Sequence, residues 1–256
     1  MSEASALTLF YRDPQPLAVA EHGAWRLKDG DVAFAAETAF VPVVVSEIAA
    51  AARSYPIVFS SGEGAQPIAV LGLEQRNLFV NDGRWAADAY TPAYVRRYPF
   101  GFIATVNPSG FALAIDAASE RVAVSGEEGA ALFENGRPTP LTQDAMAFCK
   151  AFQGEAAATQ AFGEALCAQN LLIDRRADAT LPDGRRLGLD GFQVVDTERF
   201  ANLGEAVVLD WHRKGWLALV HFHLASLERF GAILNLQGQA AAIAEPAAKP
   251  SKSKKA

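Results

Sequence analysis

The hydrophobic pattern changes period once along the chain, and that change sets the fold class. From Ala6 to about Phe133, short apolar runs alternate with turn residues, the pattern of strands joined by tight connections. Residues 7–11, 41–45, 56–59, 68–71, 78–80, 100–106 and 111–115 are the expected strands. Ser46 is placed as the N-cap of a short helix over the alanines that follow Ile48, and Asp82-Gly83 and Asn135-Gly136 mark turns. Beyond them, Met146, Phe148, Phe152, Phe162, Leu166 and Leu171 recur at helical spacing, with Thr142 as cap and a break allowed at Gly154. The Pro-Asp-Gly turn at 182–184 predicts a hairpin over 179–195, and Thr197 is expected to cap the next helix. Leu217, Val220, Leu224, Leu227, Gly231 and Leu234 step by three and four, one buried stripe of a final helix. Residues 216–222 alone also read as a strand, but the periodic run outlasts a typical one.

The expected architecture is therefore α+β, a mostly antiparallel β region packed against C-terminal helices. One domain spans residues 1–236, β-rich over 1–140 and helical with one hairpin over 141–236. The Ala, Pro and Lys composition of 237–256 predicts a disordered tail.

Half of the 256 residues are hydrophobic, enough for a substantial core. The net charge of -6 argues against general nucleic-acid binding, which needs a basic face. The start of the chain has no secretory pattern, and polar residues interrupt every apolar run before about 18 residues. No membrane span and a cytoplasmic location are the expectations. Cys149 and Cys167 are the only cysteines, too few for a disulfide framework, and are expected as reduced core thiols.

One stretch concentrates charge and aromatic rings: Tyr94-Val-Arg-Arg-Tyr-Pro-Phe-Gly-Phe102. Thr91-Pro92 upstream reads as a helix start and Pro99 as its stop, so Arg96 and Arg97 fall in the last turn of a short helix. There they cap its carbonyls and stack on rings, with Asp82 and Asp88 as acidic partners close in sequence. Alternatively one of them holds a carboxylate or phosphate against a wall formed by Tyr94, Tyr98 or Trp85. Adjacent helical arginines diverge, so at most one meets a given ligand.

The segments Tyr55-Pro-Ile-Val-Phe59, Gly72-Leu73, Asn77-Leu-Phe-Val80, Gly83-Arg-Trp85 and Tyr94-Val-Arg-Arg-Tyr-Pro-Phe100 resemble the signature segments of the bacterial SapC family. Leu132-Phe133, Asn135-Gly136, Asp190-Gly191-Phe192, Gly215-Trp-Leu217 and His223-Leu224 extend the resemblance over about residues 7–236. It implies a soluble protein of about this length, in a family named for a surface-layer-associated gene and often found beside outer-membrane nutrient receptors and flavin-dependent halogenase-like proteins. It implies no catalytic residue.

Other residues that bear chemistry fall outside this stretch. His221 and His223 share a face on a strand and diverge on a helix, so the expected helix gives them no common metal. His223 is expected to be satisfied within the core by Ser226 or a carboxylate, and is also the weak candidate for a catalytic base. Glu47, Asp82, Asp116 and Glu228 are the carboxylates nearest apolar segments. No dinucleotide, Walker or nucleophile-elbow motif is present, so no cofactor or metal is expected. Trp211, Trp216, Phe222 and Phe230 are expected in the core, and apolar residues on both faces of the last helix predict a homodimer. The functional expectation is a cytoplasmic binding or accessory protein, linked to cell-surface or nutrient-uptake systems, that recognises a small anionic molecule or a peptide-bearing partner. An enzyme modifying a peptide or metabolite is the alternative.

Overall fold

The computed structural model describes residues 9–62, 64–106, 109–180, 184 and 186–244. Two principal antiparallel sheets and a set of mainly C-terminal helices form the α+β fold that the change of period predicts. The larger sheet runs in the order Leu172–Thr180, Arg186–Val195, Ile57–Ser60, Pro67–Val70, Phe40–Pro42. The C-terminal hairpin thus completes a sheet begun by the N-terminal region, and its first strand starts at Leu172, earlier than the turn chemistry alone indicates.

Both faces of this sheet are covered. Ile57 and Phe59 pack with Phe162, Leu166, Trp211 and Val220, while Val58 and Val70 pack with Phe192, Val194 and Phe230 on the other side. That explains why residues 56–59 read as an unbroken apolar run and not as an alternation.

The second sheet has three strands, Pro14–Pro16, Ser109–Asp116 and Phe100–Val106. Pro14 and Pro16 occupy its edge strand, where a missing N–H breaks no ladder. Leu9 to Tyr11, expected as a strand, are irregular, and residues 7 and 8 lie outside the described residues. The expected strand at 41–45 ends at Pro42 because the chain turns into a 3-10 helix, Val45–Glu47. At Asp82-Gly83 both residues take positive φ, 46° and 71°, and close a two-residue hairpin between Val80–Asn81 and Arg84–Trp85.

Several helix caps fall elsewhere than the sequence predicts. Ser46 sits inside the 3-10 turn, and Glu47 instead accepts from the Val44 amide at 3.0 Å. The long helix Pro140–Ala168 begins before Thr142 and passes Gly154 without a break. The Thr142 hydroxyl donates to the Leu132 carbonyl at 2.7 Å, tying the helix to the preceding chain. Asp196, not Thr197, caps Thr197–Ala201 by accepting from the Glu198 and Arg199 amides.

Trp216–Ser226 is a helix, and its buried face follows the expected stripe only in part: Val220 is buried, Leu217, Leu224 and Leu227 are half-buried against the core, and Gly231 is exposed. Val220, His223 and Ser226 are buried, with Ile233 and Gln237 continuing the face in Arg229–Ala244. Of the polar members, Gln237 Nε2 donates to Glu74 Oε2 at 2.6 Å, while His223 and Ser226 are satisfied at the start of the Ile57–Ser60 strand. His223 Nδ1 donates to the Ile57 carbonyl at 2.7 Å and its Nε2 accepts from the Val195 amide at 3.1 Å. Ser226 Oγ accepts from the Ile57 amide at 2.9 Å.

The last helix runs past the expected tail start to Ala244, and residues 245–256 lie outside the described residues. By length and composition, Trp216–Gln239 is apolar enough to cross a membrane. Here it is two helices with a turn at 227–228. Cys149 is buried as expected, whereas Cys167 faces solvent. Phe222, also expected in the core, is 40% exposed.

Burial lowers the His223 pKa to about 4 from an ordinary 6.5. The unfolded chain therefore takes up a proton that the folded chain refuses, so this contribution is complete above about pH 6.5 and is lost as pH falls towards 4, by about 3 kcal/mol. Urea unfolding of the wild type and His223→Gln at several pH values should show that part of the slope in the wild type only.

Candidate functional site

The Tyr94–Phe102 stretch is held at both ends by buried carboxylates. Glu47 Oε2 accepts from the Tyr90 hydroxyl at 3.0 Å and from the Ala93 amide at 2.8 Å. It thereby caps the helix Ala93–Arg96 from 46 residues away, a role that the sequence assigns to Thr91. Burial nevertheless raises the Glu47 pKa, because loss of water outweighs these hydrogen bonds. At the other end, fully buried Asp116 accepts from the Tyr98 hydroxyl at 2.8 Å through Oδ2. Its Oδ1 accepts from the amides of Arg12 at 3.2 Å and Asp13 at 2.7 Å. Burial, reinforced by Asp116, pushes the Tyr98 phenol up to about 12.

The two arginines diverge as helical geometry requires. Arg97 is 9% exposed, its guanidinium 4.1 Å from the Tyr94 ring centre and 4.3 Å from that of Phe152. It is a packed cation between aromatic faces, and its Nε has no hydrogen-bond partner. Arg96 is exposed and donates to the Thr91 carbonyl and the Tyr90 hydroxyl, both at 3.1 Å. Among the described residues, neither forms an ion pair with Asp82 or Asp88. Trp85 belongs to the main core, its Nε1 donating to the Tyr55 hydroxyl at 2.9 Å. The five sequence-derived binding residues therefore do not converge: Tyr94, Arg97 and Tyr98 pack together, while Trp85 and Arg96 stand apart.

Tyr98 does line a cleft, of about 430 Å³, together with Arg12, Ser119 and Arg121. Asp116 builds it indirectly, since its bonds to the Arg12 and Asp13 amides fix the N-terminal segment against the end of the Ser109–Asp116 strand. The Arg12 Nη2 donates to the Ala118 carbonyl at 2.8 Å, and Arg121 Nη1 to the Tyr98 carbonyl at 3.1 Å. Arg121 lies flat on Gly30, where an added Cβ would come within 2.6 Å of its Cγ. Its buried Nε has no partner. Among the described residues, neither guanidinium is paired with a carboxylate.

Arg12, Ser119 and Arg121 were not legible as a site in the sequence. They are isolated polar residues on irregular segments 109 positions apart at their extremes, brought together by the Asp116 hydrogen bonds, the Ala117 amide donating to the Asp13 carbonyl, and the pairing of Pro14–Pro16 with the end of the Ser109–Asp116 strand.

His223 has no carboxylate partner; backbone groups occupy both ring nitrogens, leaving neither to act as a base. His221 lies exposed beside the Phe200 ring and shares no site with it. No cluster of three or more His, Cys, Asp or Glu side chains able to hold a metal occurs among the described residues. Burial pushes the Cys149 thiol up to about 11, far from a reactive thiolate.

The family model that matches this chain is SapC, over residues 17–233. The chain belongs to the SapC family. No curated protein and no solved structure matches it. Ser119, Arg121 and Tyr98 lie within the matched region and Arg12 just before it.

Asp116→Ala should leave the Tyr98 hydroxyl and two backbone amides without their acceptor, destabilising the protein by about 3 kcal/mol. Asp116→Asn, which keeps one oxygen acceptor, should cost less. Chemical denaturation of the two variants beside the wild type measures the difference.

Proposed function

We propose that this SapC-family chain is a cytoplasmic binding or accessory protein that recognises a small anionic molecule in the cleft between Arg12 and Arg121. The observation that carries the reading is the pair of guanidiniums lining one concave site without a carboxylate partner among the described residues. A bidentate guanidinium–carboxylate contact suits such a site, and an anion there offsets the charge of both arginines. Ser119 adds a hydroxyl, and the ring of Tyr98 supplies apolar contact. The cleft volume falls within the roughly 300–1,000 Å³ of small-molecule sites.

The Arg96 and Arg97 neighbourhood is a weaker host. Arg97 already stacks between two rings, and Arg96 is committed to Thr91 and Tyr90.

Calorimetric titration with succinate should detect binding to the wild type that weakens at least about tenfold in Arg121→Ala and in Arg12→Ala, the loss expected for one charge-assisted contact. Arg96→Ala should bind as the wild type does. Weakening in Arg96→Ala alone would move the site back to the exposed face of the short helix.

A further inference from the structure

We infer that the cleft is built for a zwitterion, a free α-amino acid with an apolar side chain, and not for a simple anion. This rests on the anion-binding reading of the same cleft and narrows its ligand class.

The first observation is the distribution of charge. Besides Arg12 and Arg121, the cleft is lined by three carboxylates, Asp31, Glu37 and Glu120. Opposite charges sharing a surface ordinarily neutralise one another by pairing. Here, among the described residues, no ion pair joins these carboxylates to the two arginines. Asp31 is turned to its own loop, its Oδ1 accepting from the Ala33 amide at 3.0 Å. Arg12 and Arg121 are turned to the carbonyls of Ala118 and Tyr98. These backbone contacts keep the charges apart, so both signs remain available within one site. A ligand that carries both satisfies both, whereas a simple anion leaves the carboxylates facing added negative charge.

The second observation is the wall between them. Phe34 and Tyr98 lie in contact with ring centres 4.1 Å apart and planes at 30°, and Phe10 meets Phe34 edge-on at 5.1 Å. All three rings line the cleft. This continuous apolar surface is suited to an aliphatic or aromatic side chain, and aromatic faces also favour an adjacent ammonium. The carboxylate end of the ligand is thus assigned to Arg12 and Arg121, and the ammonium end to the segment that carries Asp31 and Glu37.

A matched set of probes separates the two levels of the proposal: L-phenylalanine, 3-phenylpropanoate, which lacks the ammonium, and 2-phenylethylamine, which lacks the carboxylate. Calorimetry on the full chain should show L-phenylalanine binding at least about tenfold tighter than either partial probe. The double variant Asp31→Asn, Glu37→Gln should erase its advantage over 3-phenylpropanoate, while Arg121→Ala should weaken both. Equal binding of L-phenylalanine and 3-phenylpropanoate by the wild type would overturn the zwitterion and leave the anion site intact. Binding of succinate with none of the three would do the same. No binding of succinate or of any of the three would overturn both readings. Circular dichroism of each variant confirms that a lost response is not a lost fold.

Discussion

Two buried carboxylates hold the centre of this molecule. Glu47 and Asp116 are 4% and 0% exposed, and each accepts hydrogen bonds from a tyrosine hydroxyl and from backbone amides. Between them they fasten the 90–100 segment, Glu47 at its entrance through Tyr90 and Ala93, Asp116 near its exit through Tyr98. A buried carboxylate is costly unless its oxygens are satisfied. Here every oxygen has a donor.

The consequences spread along the chain. The clamp at Asp116 sets residues 11–13 beside the second sheet, where the Tyr11 hydroxyl donates to the Phe100 carbonyl at 2.5 Å. That placement brings Arg12 to the cleft that Arg121 also lines, five residues beyond the same end of the Ser109–Asp116 strand. The clamp at Glu47 fixes the short helix so that Arg97 turns inward between Tyr94 and Phe152 and Arg96 turns outward. A second polar tie, His223 and Ser226 on Ile57 and Val195, locks the C-terminal helices to the five-stranded sheet.

Features set by local periodicity and turn chemistry were legible in the sequence. The strands at 57–60, 67–70, 100–106 and 109–116, the two Asx-Gly hairpins and the helical state of 216–226 follow from patterns within a few residues. Features set by distant polar partners were not. Thr91 has the local chemistry of a cap, yet a carboxylate 46 positions before Ala93 does the capping. His223 and Ser226, outside the leucine stripe, are buried beside Val220 in the last helices because strand backbone groups find partners there. Tyr98, a candidate from its aromatic and cationic setting, does line a cleft. Its cleft partners Arg12, Ser119 and Arg121 were not legible, since nothing near them in sequence marks them and only the fold assembles them.

The chain belongs to the SapC family, and the cleft beside Tyr98 is where the proposed chemistry is tested. The most direct measurement is an amide NMR titration of the isotope-labelled protein with L-phenylalanine. The account predicts shift changes concentrated at residues 10–13, 29–37 and 117–121, with the amides around Arg96 and Trp85 unmoved. Changes centred on Arg96, or on the groove that Phe222 lines with Arg53 and Arg229, would contradict it.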